Sequence, residues 1–240
     1  MAGDDELLER IEAIVKGRPT YGYRRVTALL NRQRGADRVN HKRVYRVMRN
    51  NGLLLPKHTG LPQRRHEGKV ITLASDLRWC SDAFEIRCWN GERVYVAFSM
   101  DCCDREAIAW IAATRDLDAE DIRDLMALSI EERFGAAQTP HAVEWLTDNG
   151  GAYTATETRA FGHDSGLLVR TTPAYSPESN GLAEAFVKTF KRDYVYLAEL
   201  PDAAAVLEML PVWFADYNEH HPHKGLKMLS PRQFRRLQGS

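Results

Sequence analysis

The segment Val143-Glu144-Trp145-Leu146-Thr147-Asp148-Asn149-Gly150-Gly151 joins a short apolar run to a glycine-containing turn, with an acidic residue at the junction. A second acid, Asp82, interrupts another apolar run, Trp79-Cys80-Ser81-Asp82-Ala83-Phe84, and both runs predict β-strands. A third acid, Glu184, lies where apolar residues begin to recur at helical spacing. We interpret Asp82, Asp148 and Glu184 as one catalytic site assembled from two strands and a helix.

The apolar pattern around these acids predicts an α/β fold. Strands are predicted within Asp76–Cys88 and at Arg93–Met100, Ala107–Ala113, Val143–Leu146 and Leu167–Thr171. Helices are predicted at about Ala119–Phe134, at Ala155–Phe161 and from about Leu182, after a Pro-containing loop at Pro173–Gly181. This order is typical of a ribonuclease H-like layer, a five-stranded mixed sheet flanked by helices, in which Asp82 and Asp148 lie on neighbouring strands.

The first 55 residues predict three short helices. Asn40 suits the N-cap of the third helix, Asn51-Gly52 suits its end, and its polar side is basic, with Lys42, Arg43, Arg46 and Arg49. Three helices with a basic last one resemble a helix-turn-helix module that binds DNA. A helical bundle with a solvated basic face fits this segment equally well.

Charge is unevenly distributed, although the net charge is zero. Residues 1–70 carry +9, residues 71–187 carry −11 and residues 188–240 carry +2. A basic front joined to an acidic middle is typical of a DNA-binding module attached to a metal-dependent core. We therefore predict a helical DNA-binding domain at 1–55, a basic linker at 56–70, a catalytic core at 71–198 and a C-terminal helical extension at 199–240.

The composition is that of a folded soluble protein, with 44% hydrophobic residues. No apolar run approaches the roughly 18 residues that span a bilayer, and the acidic opening Met1–Arg10 is unlike a secretory signal. We expect a cytoplasmic protein with no membrane partner. The cysteines, Cys80, Cys88, Cys102 and Cys103, lack paired Cys-x-x-Cys spacing, so we expect reduced thiols without a zinc site.

Three carboxylates suit two hard divalent cations. Two Mg²⁺ ions, for which Mn²⁺ can substitute, activate an attacking oxygen and stabilise a leaving oxygen at a phosphodiester. We expect Asp82 to bridge both ions, Asp148 to hold one and Glu184 the other, and Lys188 and Lys191 to bind phosphates along the same helix edge. Structural alternatives are a plain turn at Asp148, an ordinary helical ion pair between Glu184 and Lys188, and a solubilising role for Lys191.

The spacing of these residues resembles a known pattern. Asp82, Asp148 and Glu184, with 35 residues between the last two, match the acidic triad of retroviral integrases and insertion-sequence transposases, and Lys191 matches that family's basic residue. The chain resembles the downstream-frame (OrfB) transposase of the IS-three family, closest to its IS-two-like branch. The matching motifs are Thr20-Tyr21-Gly22-Tyr23-Arg24-Arg25, Lys42-Arg43-Val44-Tyr45-Arg46-Val47-Met48, Trp145-Leu146-Thr147-Asp148-Asn149-Gly150, Ser176-Pro177-Glu178-Ser179-Asn180-Gly181, Phe186-Val187-Lys188-Thr189-Phe190-Lys191-Arg192-Asp193-Tyr194 and Tyr217-Asn218-Glu219-His220-His221-Pro222-His223.

The resemblance implies an integrase-type catalytic core and a Mg²⁺-dependent DNA transposase. Such an enzyme cuts element ends to expose a 3′-OH and uses that hydroxyl for strand transfer, through a figure-eight and a circular intermediate. The implied partners are double-stranded DNA of terminal repeats and target, further copies of the chain on DNA, and an upstream-frame OrfA protein. The implied location is the bacterial cytoplasm, with nucleoid association on DNA. The expected DNA contacts are Arg24, Arg25, Lys42, Arg43, Arg46, Lys188 and Lys191.

The chain departs from the family pattern at Ala185, where a serine is common, although the neighbouring carboxylate of Glu184 remains. The histidines near the C-terminus, His220, His221 and His223, are assigned no metal. Two alternatives stay open. One is a non-catalytic DNA-binding regulator derived from a transposase, and the other is a ribonuclease H-like nuclease that hydrolyses strands without joining them.

Overall fold

The computed structural model describes residues 2–34, 37–56, 72–171 and 181–238. They form two compact units. The described residues of Met1–Arg65 and of His220–Ser230 make up a helical unit, and those of His66–Glu219 and of Pro231–Ser240 make up an α/β unit. The sequence-based domain boundaries stay a prediction, and the structure groups His220–Ser230 with the N-terminal helices rather than with the rest of the expected C-terminal extension.

The helical unit begins with α1 (Ala2–Gly17), α2 (Tyr23–Arg34) and α3 (His41–Asn50). The apolar stripes of the three helices meet in a small core of Leu7, Ile11, Val26, Leu30, Val44, Val47 and Met48. The side chain of Asn40 caps α3 by accepting a hydrogen bond from the backbone N–H of Lys42 at 2.9 Å. Gly52 follows the helix with φ +68°, in the left-handed region that glycine adopts without strain. The sequence therefore placed these three helices and the cap of α3 correctly.

Asn40→Ala is expected to lower the free energy of unfolding of the helical unit by about 1 kcal/mol, because one N-terminal amide of α3 loses its partner. Urea unfolding followed by circular dichroism at 222 nm measures the loss. Asn40→Asp is the matched control, since its carboxylate can accept the same hydrogen bond. Equal stability of the alanine and aspartate variants would contradict a capping role.

The α/β unit is built on one five-stranded sheet. Its strands are β1 (Arg78–Arg87), β2 (Arg93–Asp101), β3 (Ala107–Ala113), β4 (Val143–Thr147) and β5 (Leu167–Thr171), in the order β3-β2-β1-β4-β5. β1, β2 and β3 pair antiparallel, whereas β4 pairs parallel with both β1 and β5. The predicted ribonuclease H-like arrangement is confirmed, including the adjacency of the strands that carry or precede Asp82 and Asp148.

Helices form a core on each face of this sheet. They are α4 (Ala119–Phe134), α5 (Gly151–Thr154), α6 (Thr156–Asp164), α7 (Gly181–Asp193), α8 (Ala203–His220) and α9 (Pro231–Gln238). One core packs α4 residues such as Leu125 against Trp79 and Trp145, and the other packs α7 and α8 against Phe84 and Phe98. This two-sided burial explains why the strands that carry the acids are so apolar.

The sequence predicted one helix at Ala155–Phe161, and the structure has two short ones at this position. Ala155 separates α5 from α6 because its backbone is extended, with φ −53° and ψ 143°. Most of the expected linker at 56–70 and of the expected loop at Pro173–Gly181 lies outside the described residues. Among the helices that the structure describes, none is both long enough and apolar enough to cross a membrane.

Candidate active site

The pairing of β1 with β4 brings two of the three acids to the same edge. Cys80 pairs with Leu146, and Trp79 pairs with Trp145 in the same parallel register. Continuing that register by two residues places Asp82 opposite Asp148, which follows the last residue of β4. The two buried tryptophan rings lie 6.3 Å apart, edge to face, so the core fixes the register that aligns the acids.

Aromatic packing sets the rotation of the helix that carries the third acid. The Phe186 ring lies 4.3 Å from the Phe98 ring, and the Phe190 ring lies 5.7 Å from the Phe84 ring. With these side chains buried, Glu184 remains on the exposed side of α7. Lys188 lies one turn further along the same edge, since residues four apart share a helix face.

Asp82 lies within electrostatic range of the other two carboxylates. Burial, and then the charges of Asp148 and Glu184, raise the pKa of Asp82 to about 6, although the hydrogen bond from the neighbouring backbone N–H lowers it. That bond joins the Ala83 N–H to Asp82 Oδ1 at 2.8 Å. A positive charge next to such a carboxylate would favour its ionised form. Asp82 is therefore a position where the metal-free protein would gain from a bound cation.

The carboxylates are not drawn together as a finished ligand set. Among the described residues, no three His, Cys, Asp or Glu side chains form a group that could hold a metal ion as they stand. Glu184 instead pairs with Lys188, whose Nζ lies 3.3 Å from Oε2. This pair is solvent-exposed and is worth less than about 1 kcal/mol, so a cation that attracts the carboxylate can displace the lysine.

One residue near the acids, Tyr153, was not identified from the sequence. Tyr153, on α5, is buried and its hydroxyl accepts a hydrogen bond from Ser81 at 3.1 Å. Burial raises the pKa of Tyr153, and the charges of Asp82 and Asp148 raise it further, so a neutral phenol lies close to both acids. Its sequence signal is an aromatic residue two positions after the glycine pair, and any aromatic core residue gives the same signal.

Gly150 has a structural role in the turn that follows Asp148. A Cβ at this position would lie 3.0 Å from Asp148 Oδ1 and 3.4 Å from the Tyr153 ring. The Gly150 N–H donates to the same Oδ1 at 2.9 Å. The absent side chain therefore allows the turn to hold the Asp148 carboxylate in place.

The expected DNA-contacting cations have varied surroundings. Arg43 and Arg46 both bind Asp4, at 2.8 and 3.0 Å, whereas Lys42 is exposed. Lys191 lies 5.5 Å above the Phe84 ring, and burial lowers its pKa. Arg24 and Arg25 lie over tyrosine rings, those of Tyr23 at 5.7 Å and of Tyr21 at 5.2 Å.

Family comparison agrees with this geometry. Residues 2–59 match a family described as an HTH-like domain, and residues 74–177 and 165–231 match two families described as integrase core domains. The chain is 48% identical over 238 residues to the transposase InsD for insertion element IS2 on F plasmid of Escherichia coli strain K12, covering 97% of this chain and 79% of that protein. The chain belongs to the insertion-element transposases.

A second relative supports the same family. The InsD transposase for insertion element IS2-9 of the same strain is also 48% identical, over 97% of this chain and 78% of that protein. The predicted membership of the IS-three family, within the DDE transposases, is thereby confirmed. The chain is a DDE-type polynucleotidyl transferase, and its HTH-like and integrase core domains imply that it binds DNA.

Solved structures share the fold of this transposase at low sequence identity. A simian T-cell lymphotropic virus intasome chain aligns with a TM-score of 0.58 at 16% identity, over 94% of this chain and 73% of that chain. The catalytic domain of Mos1 mariner transposase aligns with a TM-score of 0.51 at 18% identity, over 67% and 79%. The catalytic core of HTLV-2 integrase aligns with a TM-score of 0.52 at 15% identity, over 68% and 97%.

Proposed function

We propose that Asp82, Asp148 and Glu184 are the catalytic residues of this transposase and hold two Mg²⁺ ions during cleavage of element ends and strand transfer. The observation that carries the proposal is the β1–β4 register, which aligns Asp82 with Asp148 within electrostatic range of Glu184. Integrase and transposase cores depend on divalent metal ions in general, and the HTLV-2 core was solved with magnesium.

The donor chemistry of the site fits a hard divalent cation. All three groups are carboxylates, the oxygen donors that Mg²⁺ prefers, and the pKa of Asp82 is raised by burial and then by two neighbouring negative charges, both of which a cation would offset. Asp82 and Asp148 each accept a hydrogen bond from a backbone N–H through Oδ1. Among the described residues, neither Oδ2 has a hydrogen-bond partner. Bound cations supply Lewis-acid stabilisation of the attacking and leaving oxygens.

The remaining residues position the acids and the DNA. The N–H of Gly150 orients the Asp148 carboxylate, and the core contacts of Phe186 fix the edge on which Glu184 lies. Lys188 and Lys191 extend a cationic edge along α7, where they hold phosphates of the element end or the target without reading bases. In the joining step a 3′-OH attacks a phosphodiester. One phosphodiester bond forms as another breaks, so their number is conserved.

The partners follow from the reaction. Two element ends must be held together, so we propose that at least two copies of the chain assemble on DNA, with an OrfA-type protein as an additional or fused component. The DNA substrates are the terminal repeats and a target duplex. Light scattering of the protein with a terminal-repeat duplex measures the assembly, and a strictly monomeric complex would contradict it.

A branched DNA that can be both cut and rejoined tests the proposed reaction. Wild-type protein should give joined strands with Mg²⁺ or Mn²⁺ and none with EDTA, as resolved on denaturing gels. Cleavage without joining would favour a nuclease, and metal-independent binding without any product, also after fusion to an OrfA-type protein, would favour a regulator. Both alternatives would overturn strand transfer by this chain.

A further inference from the structure

The helical unit contains a cavity of about 400 Å³ that the proposed catalytic site does not use. One wall is a face of α2 that includes Arg24, Ala28 and Arg32, which follow one another at intervals of four residues. Arg38 and Lys227, from other segments of the chain, also line the cavity. Segments that lie almost 200 residues apart in the sequence thus meet in one cavity of the same unit.

The cavity is lined by positive charge without matching negative charge. Arg24, Arg32, Arg38 and Lys227 all line it, and among the described residues no acidic side chain does. Within the described residues, none of these four cations forms an ion pair with a carboxylate, unlike Arg43 and Arg46 on α3, which share Asp4. Four unneutralised cations around one cavity favour an anionic ligand.

Hydrogen bonds hold the cavity walls in place. Arg32 donates to the carbonyl oxygens of His220 and Met228, at 2.7 and 3.0 Å, which fixes its guanidinium without cancelling the charge. Its Nε is buried and has no hydrogen-bond partner. The Asn31 side-chain amide of α2 accepts a hydrogen bond from the Val39 N–H at 2.8 Å and donates one to the Val39 carbonyl at 3.1 Å, and so anchors the segment next to Arg38.

The segment that presents Lys227 is strained. Lys227 and Met228 have φ of 54° and 66°, two successive non-glycine residues in the left-handed region. This conformation is unfavourable for residues with a Cβ, and such strain is concentrated at functional sites. The carbonyl of His223 accepts the Met228 N–H at 2.8 Å, while the His223 N–H donates to Leu229 at 3.0 Å, so the loop is closed by backbone bonds that hold the strained pair.

We infer that this cavity binds a backbone phosphate of duplex DNA, so that residues from the C-terminal segment complete the DNA-binding surface of the HTH-like unit. The inference rests on the proposed function as a DNA transposase. In helix-turn-helix modules the helix before the recognition helix crosses the DNA backbone, which is the position of α2 before α3. The volume admits one phosphodiester with parts of its sugars, and guanidinium groups match phosphate oxygens in geometry.

A charge placed in the cavity tests the inference. Ala28→Glu adds a carboxylate beside Arg24 and Arg32, and Ala28→Gln adds the same shape without charge. Fluorescence anisotropy of a labelled terminal-repeat duplex, in EDTA and at several salt concentrations, should give an affinity at least about 10-fold lower for the Glu variant than for the Gln variant at 0.1 M salt. Equal affinities of the two variants would overturn the inference.

Lys227→Ala provides a second test that places nothing in the cavity. It should reduce the slope of log affinity against log salt by about 0.9, as expected for the loss of one phosphate contact. Lys16→Ala is the matched control, because Lys16 is exposed at the end of α1 and does not line the cavity. An unchanged slope for Lys227→Ala, with the variant folded by circular dichroism, would overturn the inference.

Free phosphate is the other source of the same ligand chemistry. If inorganic phosphate raises the melting temperature of wild-type protein more than chloride at equal ionic strength, while the Glu and Gln variants bind DNA equally, the DNA assignment is overturned. EDTA suppresses strand cleavage and joining, so these experiments measure DNA binding alone. If the wild type binds DNA and the cavity variants bind it equally well, this inference is overturned and the proposed function is not. Loss of all DNA binding by the wild type would overturn the proposed function as well.

Discussion

Asp82→Asn is expected to reduce strand joining by at least about 10³-fold while raising the stability of the metal-free protein by about 1–3 kcal/mol. The variant removes a charged metal ligand but keeps its shape, so DNA binding should persist. The gain in stability follows from the pKa of Asp82, which burial and then the charges of Asp148 and Glu184 raise to about 6 from 3.8. Branched-DNA joining and thermal unfolding in EDTA measure the two effects.

The pH dependence of this gain has a definite sign. A carboxylate whose folded-state pKa is raised costs stability above that pKa, and the cost disappears as the pH falls toward the unfolded value. The stability difference between Asp82→Asn and wild type should therefore be largest above pH 6 and should fade toward pH 4. Metal ions should also stabilise the wild type and not the variant, because they bind the folded state.

Asp124→Asn is the matched control for this experiment. Asp124 is exposed on α4, so the same substitution should change neither joining nor stability beyond about 0.5 kcal/mol. Full joining activity in Asp82→Asn would overturn the proposed ligand set. Equal stability of Asp82→Asn and wild type at pH 7.5 would show that neither burial nor the neighbouring charges penalise the ionised Asp82 in the metal-free protein.

The sheet edge that carries the proposed catalytic acids was predictable because its signals are local. The apolar runs before Asp148 and around Asp82 identify strands, and the spacing of Phe186 and Phe190 from Glu184 identifies the inward face of α7. Element order then implies which strands are neighbours. Neighbouring strands bring Asp82 and Asp148 close together, so the order of the elements also implies that their charges interact.

Other features depend on contacts between residues distant in sequence. Nothing near Lys227 indicates that its segment joins α2, because the partners are separated by almost 200 residues. In the sequence Tyr153 cannot be distinguished from other aromatic core residues. Its position near the acids follows from the hydrogen bond that the Ser81 hydroxyl donates to it. Arg133 follows Glu131 and Glu132 in a charged run that is typical of a solvated helix end, yet only 1% of its side chain is exposed.

Arg133→Met is expected to lower the free energy of unfolding of the α/β unit by about 3–5 kcal/mol. The Arg133 Nη2 donates to both carboxylate oxygens of Asp104, at 3.0 and 2.9 Å. Its other guanidinium nitrogens lie 3.2 Å from Asp76 and 3.3 Å from Glu106. Methionine fills similar space but leaves the buried carboxylates facing one another without this cation, which costs more than the lost contacts themselves.

The remaining acids determine how the Arg133→Met variant responds to pH. Burial, and then the charge of Asp104, raises the pKa of Asp101 to about 6 even with Arg133 present. Without the guanidinium these carboxylates should bind protons more readily, so the variant should recover part of its stability as the pH falls from 7.5 to 5. Glu106 retains Arg232 and Arg235 as partners, at 2.8 and 3.1 Å. The loss of stability should therefore come mainly from Asp101 and Asp104.

Arg115→Met applies the same substitution at a solvent-exposed ion pair. Arg115 is 59% exposed and lies 2.6 Å from Asp121, so its loss should cost less than about 1 kcal/mol. Urea unfolding of both variants at pH 7.5 compares the two sites directly. Comparable losses at Arg133 and Arg115 would mean that burial does not amplify the charge imbalance. A loss at Arg133 that does not diminish at pH 5 would instead point to packing, because a cavity does not titrate whereas an unpaired carboxylate does.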